Sequence, residues 1–463
     1  MSSSPVPVNP TPTPRGKLHR LVGEVLLGAS GRVIRLVVAV GMLSGLCAAA
    51  FVAALQALTS VIGPDRWGGG IQILILAAAG ALIGVLILYL GNPGDVELLV
   101  GNIHVSGGRD DFRDLRSLIP VSLLGIAAGS AIGPEAPLVQ TTGSIGSWMA
   151  LRLRLDEAEL RLLTIAGMAA GFTVLLGAPI GSALFALEIL HRRGLEYYEA
   201  LVPALLGSVT GYAVYAGITG LGLEPYLLLP PAHRLQVVDF GVGVGAGLIG
   251  AAIAVAFTYL VVGFRAGMRR LPVSVRPVLG GVLLGLLSLA SPYALTFGEE
   301  QLNQVVATGP GIWVLLGAAG AKLVGSALIT TAGWRGGFII PLFFVGACVG
   351  LVSSSLLGID PTVAMACLMA AAVVGVTKTP LGSTLVVSEI AGLALLPPVL
   401  IASLLALLAT SRVGLIESQQ RREGEFSSAR SDAVSGTAAA LLDLGSGRLE
   451  LSGVDEGSPE GRR

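Results

Sequence analysis

Met168–Ile189 reads MAAGFTVLLGAPIGSALFALEI, and Met369–Ile390 reads MAAAVVGVTKTPLGSTLVVSEI. Aligned without a gap, the two segments share Met-Ala-Ala, a proline (Pro179 and Pro380), a Gly-Ser pair, a leucine and a closing Glu-Ile. Working outward, a second pair of Gly-rich breaks stands at a similar offset: GSAIGPEAP over Gly129–Pro137 and GWRGGFIIP over Gly333–Pro341. Two related halves, each interrupted by Gly and Pro at matching points, predict a binding site where the broken segments meet.

Composition places those repeats in a bilayer. The 463 residues are 53% hydrophobic and only 13% charged, with a mean hydropathy of +0.81, too little charge to cover a water-soluble chain of this length. The 65 glycines suit close helix approach in lipid, and 5% aromatics argue against a β-barrel with aromatic girdles. The expectation is an all-α polytopic membrane protein. A net charge of zero gives no sign of nucleic acid as a partner. Cys47, Cys348 and Cys367 lie in apolar runs without a pairing pattern and read as packed thiols. The first apolar run, from about Val33, is too long for a cleaved signal. Residues 1–24 are Ser/Pro-rich and 425–463 are Ser-, Gly- and charge-rich; both are expected to be disordered cytoplasmic segments flanking a membrane domain over 25–424. Its two repeats are placed at about 31–220 and 232–424.

Within that domain, Val33–Ile62, Gly70–Leu90 and Val237–Phe264 are long enough to span. Leu118–Ala131, Leu138–Leu151, Leu162–Leu176 and Pro179–Leu190 in the first half, and Ile312–Thr331, Phe338–Leu357, Pro361–Val376, Gly382–Leu396 and Val399–Thr410 in the second, read as part-way segments. Their ends must then lie in protein or in a wet cavity, since lipid cannot satisfy free backbone groups. Basic clusters at Arg15–Arg20, Arg152/Arg154, His191–Arg193, Arg265/Arg269/Arg270 and Arg412/Arg421/Arg422 mark a cytoplasmic side and put both termini there.

The breaks carry the chemistry. Glycine permits an unusual turn, and proline suits the first turn of a helix. The free amides of a helix start carry partial positive charge and bind anions. Glu135 therefore sets a carboxylate among donors that can equally hold a small anion, while Gly336-Gly337-Phe338-Ile339-Ile340-Pro341 repeats the arrangement without a charge. The expected anion site is built from Glu135, Ala136, Phe338, Ile339 and Ile340. Backbone amides hold an anion without trapping it, as conduction requires.

These residues resemble the CLC chloride channel and chloride/proton exchanger family. VSLLGIAAGSAIGPEAPLVQTTGSIGS looks like the region of its gating glutamate, KLVGSALITTAGWRGGFIIPLFFVGACVG like its second filter segment, and APIGSALFALEI with TPLGSTLVVSEI like its paired inner helices. The likeness runs over roughly residues 30–424. It implies two inverted-topology halves of broken, tilted helices and a homodimer in the cell membrane with one anion pore per subunit. It also implies that Glu135 gates the pore and handles protons. Gly94 (or Asp95) falls where the family's filter serine stands, and Ile416 (or Leu415) where its central tyrosine stands. Pro134 and Ala136 replace the family's basic residue and glycine around the glutamate, and Ile189 occupies the place of the exchangers' inner glutamate.

Remaining residues receive plainer readings. Glu188 and Glu389, related by the repeat, are expected to cap or pair, with Lys322 and Lys378 balancing them. GAGLIG over Gly245–Gly250 reads as close helix packing rather than a dinucleotide fingerprint, because no strand precedes it. Asp110, Asp111 and His104 read as a solvated loop rather than a metal site, and no hydrolase, zinc-protease or nucleotide-binding signature appears. Neither enzyme chemistry, a cofactor nor a metal is expected. The function expected is transport of small inorganic anions, chloride foremost, with or without coupled proton antiport. The alternatives are a passive voltage- or pH-gated chloride channel and a transporter of another anion such as fluoride or nitrate.

Overall fold

The computed structural model describes residues 29–91, 93, 112–191, 197–220, 227–416 and 419. Gly94, Asp95, His104, Asp110, Asp111, both tails and part of the basic clusters lie outside them. The first half contains α1 (Ala29–Ile62), α2 (Gly69–Leu90), α3 (Phe112–Ala127), α4 (Glu135–Arg152), α5 (Glu157–Leu176), α6 (Pro179–Glu188) and α7 (Leu201–Thr219). The second contains α8 (Val237–Met268), α9 (Arg276–Ala290), α10 (Glu299–Thr308), α11 (Ile312–Thr331), α12 (Ile339–Leu357), α13 (Pro361–Thr377), α14 (Pro380–Ala391) and α15 (Leu396–Ala409). Among the described residues the only β-type pairing is an isolated antiparallel bridge between Gly133 and Gly337.

Packing repeats with the sequence. α1 packs on α7 as α8 packs on α15; α4 on α5 as α12 on α13; α5 on α6 and α7 as α13 on α14 and α15. The close approaches repeat too. An added Cβ at Gly146 would meet the Leu163–Thr164 backbone, and one at Gly350 would meet Met365 and Ala364. Lipid gives little hydrophobic drive between helices, so contacts this close are what hold them together. Outward faces stay apolar: Leu74, Leu88 and Trp313 are more than two-thirds exposed, a surface for lipid rather than water.

The two aligned segments form the same device twice. α5 and α13 each end at a left-handed residue, Gly177 (φ 65°) and Lys378 (φ 63°). The chain then reverses into a proline-started short helix. These short helices run against each other and cap one another. Glu188, at the end of α6, accepts from the amides of Leu381 and Gly382 at 3.1 and 2.6 Å. Glu389, in the last turn of α14, accepts from Ile180 and Gly181 at 3.3 and 2.5 Å. Each carboxylate satisfies two of the free amides at the partner's start. Such reciprocal caps require an antiparallel pair, the local sign of inverted repeats.

Three expectations change. Lys322 and Lys378 do not balance these glutamates. Lys322 Nζ donates to Leu295 O, Thr296 O and Gln301 Oε1, and Lys378 Nζ donates to Gly375 O, Thr410 O and Thr410 Oγ1. The glutamates already have amide donors, so no cation is needed. Second, Leu162–Leu176 is not a part-way segment: α5 has 20 residues. Its polar first turn, with Asp156 capping the Glu159 amide at 2.8 Å, hid the start from hydropathy. Third, α11 and α12 are not part-way segments: both are long and apolar enough to span, two of seven such helices among the described residues. Two glycines of the run in α8 pack closely as expected, since a Cβ at Gly247 would meet Ala402 and Leu405 and one at Gly250 would meet Ala371, whereas Gly245 faces open space.

At one end of the membrane domain, His233 joins the starts of α8 and α13. Its Nδ1 lies 2.7 Å from Asp360 Oδ2 and its Nε2 3.2 Å from Asp239 Oδ2. Asp360 caps α13 through the amides of Thr362 and Val363, and Asp239 takes part in the capping box of α8 with Gln236.

Candidate functional site

The two Gly-rich breaks meet at the centre of the domain. Each opens on a left-handed glycine, Gly129 (φ 92°) and Gly333 (φ 88°), a geometry that costs any other residue. Each then reaches a helix start whose third residue is proline, Pro137 in α4 and Pro341 in α12. Break one is held by Gln72 Nε2 donating to Ala128 O (2.8 Å), the Thr296 amide to Gly129 O (2.9 Å) and Ser326 Oγ to Ala131 O (2.7 Å). Break two is held by Trp334 Nε1 donating to Pro277 O (2.9 Å) and Arg335 Nε to Pro93 O (3.0 Å). Loop backbone at membrane depth thus finds its partners in protein, as lipid demands. The Gly133 amide donates to Gly337 O at 2.8 Å and the Gly337 amide to Gly133 O at 2.7 Å. Two helix starts from different halves are thereby fixed side by side.

Glu135 lies at this junction, 1% exposed. Its Oε1 accepts from the Ile340 amide at 2.7 Å, across the boundary between halves. Its Oε2 is buried and accepts from no described protein group. Gly133 and Gly337 face the carboxylate so closely that a Cβ on either would stand 2.8 Å from Glu135 Cδ. Glycine is needed at both positions for space. The carboxylate therefore occupies a pocket of backbone donors suited equally to a free monoatomic anion.

Of the sequence-derived set, Glu135 and Ile340 are in direct contact, with Ala136 and Ile339 beside them in the first turns of α4 and α12. Phe338 is the residue preceding α12, and its ring packs on Phe257 of α8 at 5.6 Å. Ile416 is buried in the same apolar core as Ile189, Ile339 and Ile340 and brings no polar side chain. Gly94 lies outside the described residues. Sequence reading missed Gln419: its Nε2 donates to Ile189 O at 3.0 Å and Thr377 O at 2.7 Å, tying the segment after α15 to the ends of α6 and α13. A glutamine in a polar tail carries no signal for this role. Arg335 was also missed, although a cation inside the second glycine break was visible in the sequence. No group of His, Cys, Asp and Glu among the described residues could hold a metal ion.

Two inverted halves, broken helices stapled at their starts and a buried carboxylate on the facing amide define a membrane transporter or channel with its site between repeats. The chain belongs to the voltage-gated chloride channel family, whose model matches residues 96–411. Over 397 residues it is 25% identical to a chloride/fluoride channel protein of Pseudomonas syringae pv. tomato, covering 82% of this chain and 84% of that one. It is 31% identical over 299 residues to the voltage-gated ClC-type chloride channel ClcB of Citrobacter koseri, covering 62% and 70% respectively. The crystal structure of a CLC-type fluoride/proton antiporter superposes with a TM-score of 0.75 at 25% identity, covering 84% of this chain and 98% of that one. The protein is thus a multi-pass membrane protein of a family of anion channels and antiporters.

Proposed function

We propose that each subunit carries small inorganic anions, chloride foremost, through the junction of α4 and α12, with Glu135 as the gate. The observation that carries this reading is the Glu135 carboxylate seated on the Ile340 amide between two glycines. A charged carboxylate there competes with the anion, and protonation releases it. The amides of Glu135, Ala136, Phe338, Ile339 and Ile340 would receive the anion once the side chain swings out. Ile416 would border the path further in. The working form is a homodimer in the cell membrane with both termini cytoplasmic, the side marked by Arg152, Arg154, Arg265, Arg269 and Arg270.

Proton antiport is the mode we favour, Glu135 carrying the proton as it leaves and re-enters the site. Passive conduction is the second reading, and Ile189 favours it: a buried apolar residue stands at the end of α6 and offers no inner proton carrier. Fluoride competes with chloride as the cargo, given the fluoride in the names of the Pseudomonas relative and the antiporter neighbour. Liposomes holding the purified full chain, given only an anion gradient of chloride, fluoride or nitrate, decide among these. Uphill proton movement establishes coupling. Robust anion flux without it leaves a passive pathway, and no flux of any anion refutes the transport reading.

A further inference from the structure

Lys322 is fully buried in the middle of α11, and the groups its ammonium bonds are all neutral. Its ammonium donates to Leu295 O at 2.5 Å, Thr296 O at 2.6 Å and Gln301 Oε1 at 2.8 Å. Three acceptors need three N–H groups, which only the charged form has. No carboxylate among the described residues lies within ion-pair distance of it, so the charge is held by dipoles and left uncancelled. It also stands 5.2 Å from the centre of the Phe344 ring. Phe344 is one turn along α12 from Ile340, whose amide holds Glu135. From that path the ammonium lies on the order of 10 Å from the anion site, given the rise of a single helical turn.

Its acceptors have a second role. Leu295, Thr296 and Gln301 line a cavity of about 390 Å³ that also reaches Gln72. Gln72 and the Thr296 amide both bind the first break, at Ala128 O and Gly129 O. The cavity therefore abuts the segment that leads to Glu135, with Lys322 behind its wall. Other charges on this wall are Glu299 and Glu300, which would repel an entering anion. Break one contains no cation of its own, since Gly133 and Pro134 precede the glutamate.

We propose that Lys322 is a specificity-determining residue: a fixed, buried positive charge that sets the anion affinity of the site between α4 and α12. All its hydrogens are engaged, so it acts through its field and does not ligate the anion. The inference rests on the transport reading above. At on the order of 10 Å and an effective dielectric constant of about 20, one charge changes affinity by about tenfold.

The test uses the full chain carrying Glu135→Gln, in which no carboxylate competes, and reads the half-saturating chloride concentration for flux into liposomes. Lys322→Met should raise it about tenfold, and Lys322→Arg should restore it. Gln301→Glu keeps Lys322 and the fold but places a carboxylate on the ammonium, and it should raise the value to a similar extent. A merely structural lysine would leave Gln301→Glu unaffected, so this variant decides the matter even if Lys322→Met fails to fold. Unchanged half-saturation in Gln301→Glu, or in a folded Lys322→Met, overturns the proposal. Absence of any flux in the parent variant refutes the transport reading, and this inference with it.

Discussion

At the scale of single residues, the site is an arrangement of what is absent around Glu135. Two glycines leave the carboxylate its space, and a proline removes the amide that would otherwise stand before it. Gly337→Ala would put a methyl group 2.5 Å from Glu135 Oε2 and should drive the carboxylate out. The expected result is faster anion flux with weaker pH dependence; slower flux with unchanged pH dependence would mean the side chain tolerates the methyl in place. The contact of Glu135 with the far half was legible in the sequence because GPEAP and GGFIIP share one grammar, glycine break and helix start. Lys322 was misread for a physical reason: a lone lysine in an apolar helix gives no hint that its acceptors are backbone carbonyls from a loop packed beside it.

At the scale of elements, the paired short helices are held by crossed caps. Each is too short to be stable alone, and each lends its terminal carboxylate to the other's first amides. Glu188 is 2% exposed whereas Glu389 is half-buried. Glu188→Ala is therefore expected to cost more than Glu389→Ala, with about 1–2 kcal/mol for the weaker cap. Thermal unfolding in detergent reads the ordering, and equal or reversed losses would contradict it. The latch at His233 makes a pH prediction outside the membrane-spanning segments. Its hydrogen bond with Asp360, aided by the charges of Asp239 and Asp360, holds His233 above the ordinary imidazole range against the effect of burial. Burial opposes the shift of Asp360, but bonds from His233 and from the amides of Val363 and His233 outweigh it and hold the carboxyl low. The raised histidine contributes stability below its unfolded value, lost as pH rises through its folded one; the lowered aspartate contributes above its unfolded value, lost as pH falls. The latch is therefore strongest between about pH 4 and about 6.5, the two unfolded values. Unfolding temperature should drop as pH rises past neutrality, and His233→Gln should flatten that drop; an undiminished drop in the variant would assign it elsewhere. None of this was legible beforehand, because His233 and Asp360 are remote in sequence and belong to no motif.

At the scale of the whole molecule, one sequence plan laid down twice places a polar site inside an apolar protein. The repeat was legible in full where both copies keep Pro and Gly-Ser, at Pro179 and Pro380, since helix starts are specified locally. Polar helix starts escaped, as at Asp156, and so did long-range ties such as Gln419 to Ile189, which depend on how the elements assemble. Inverting the plan brings the two helix starts nose to nose, and the Gly133–Gly337 bridge fixes them there. Everything proposed for transport depends on Glu135 occupying that junction as a displaceable anion. The most direct test compares anion efflux from liposomes between wild type and Glu135→Gln over acid to neutral pH. The account predicts flux that rises with acidity in wild type, and in the variant a faster flux independent of pH with no proton movement. Wild-type pH dependence retained in Glu135→Gln would contradict it.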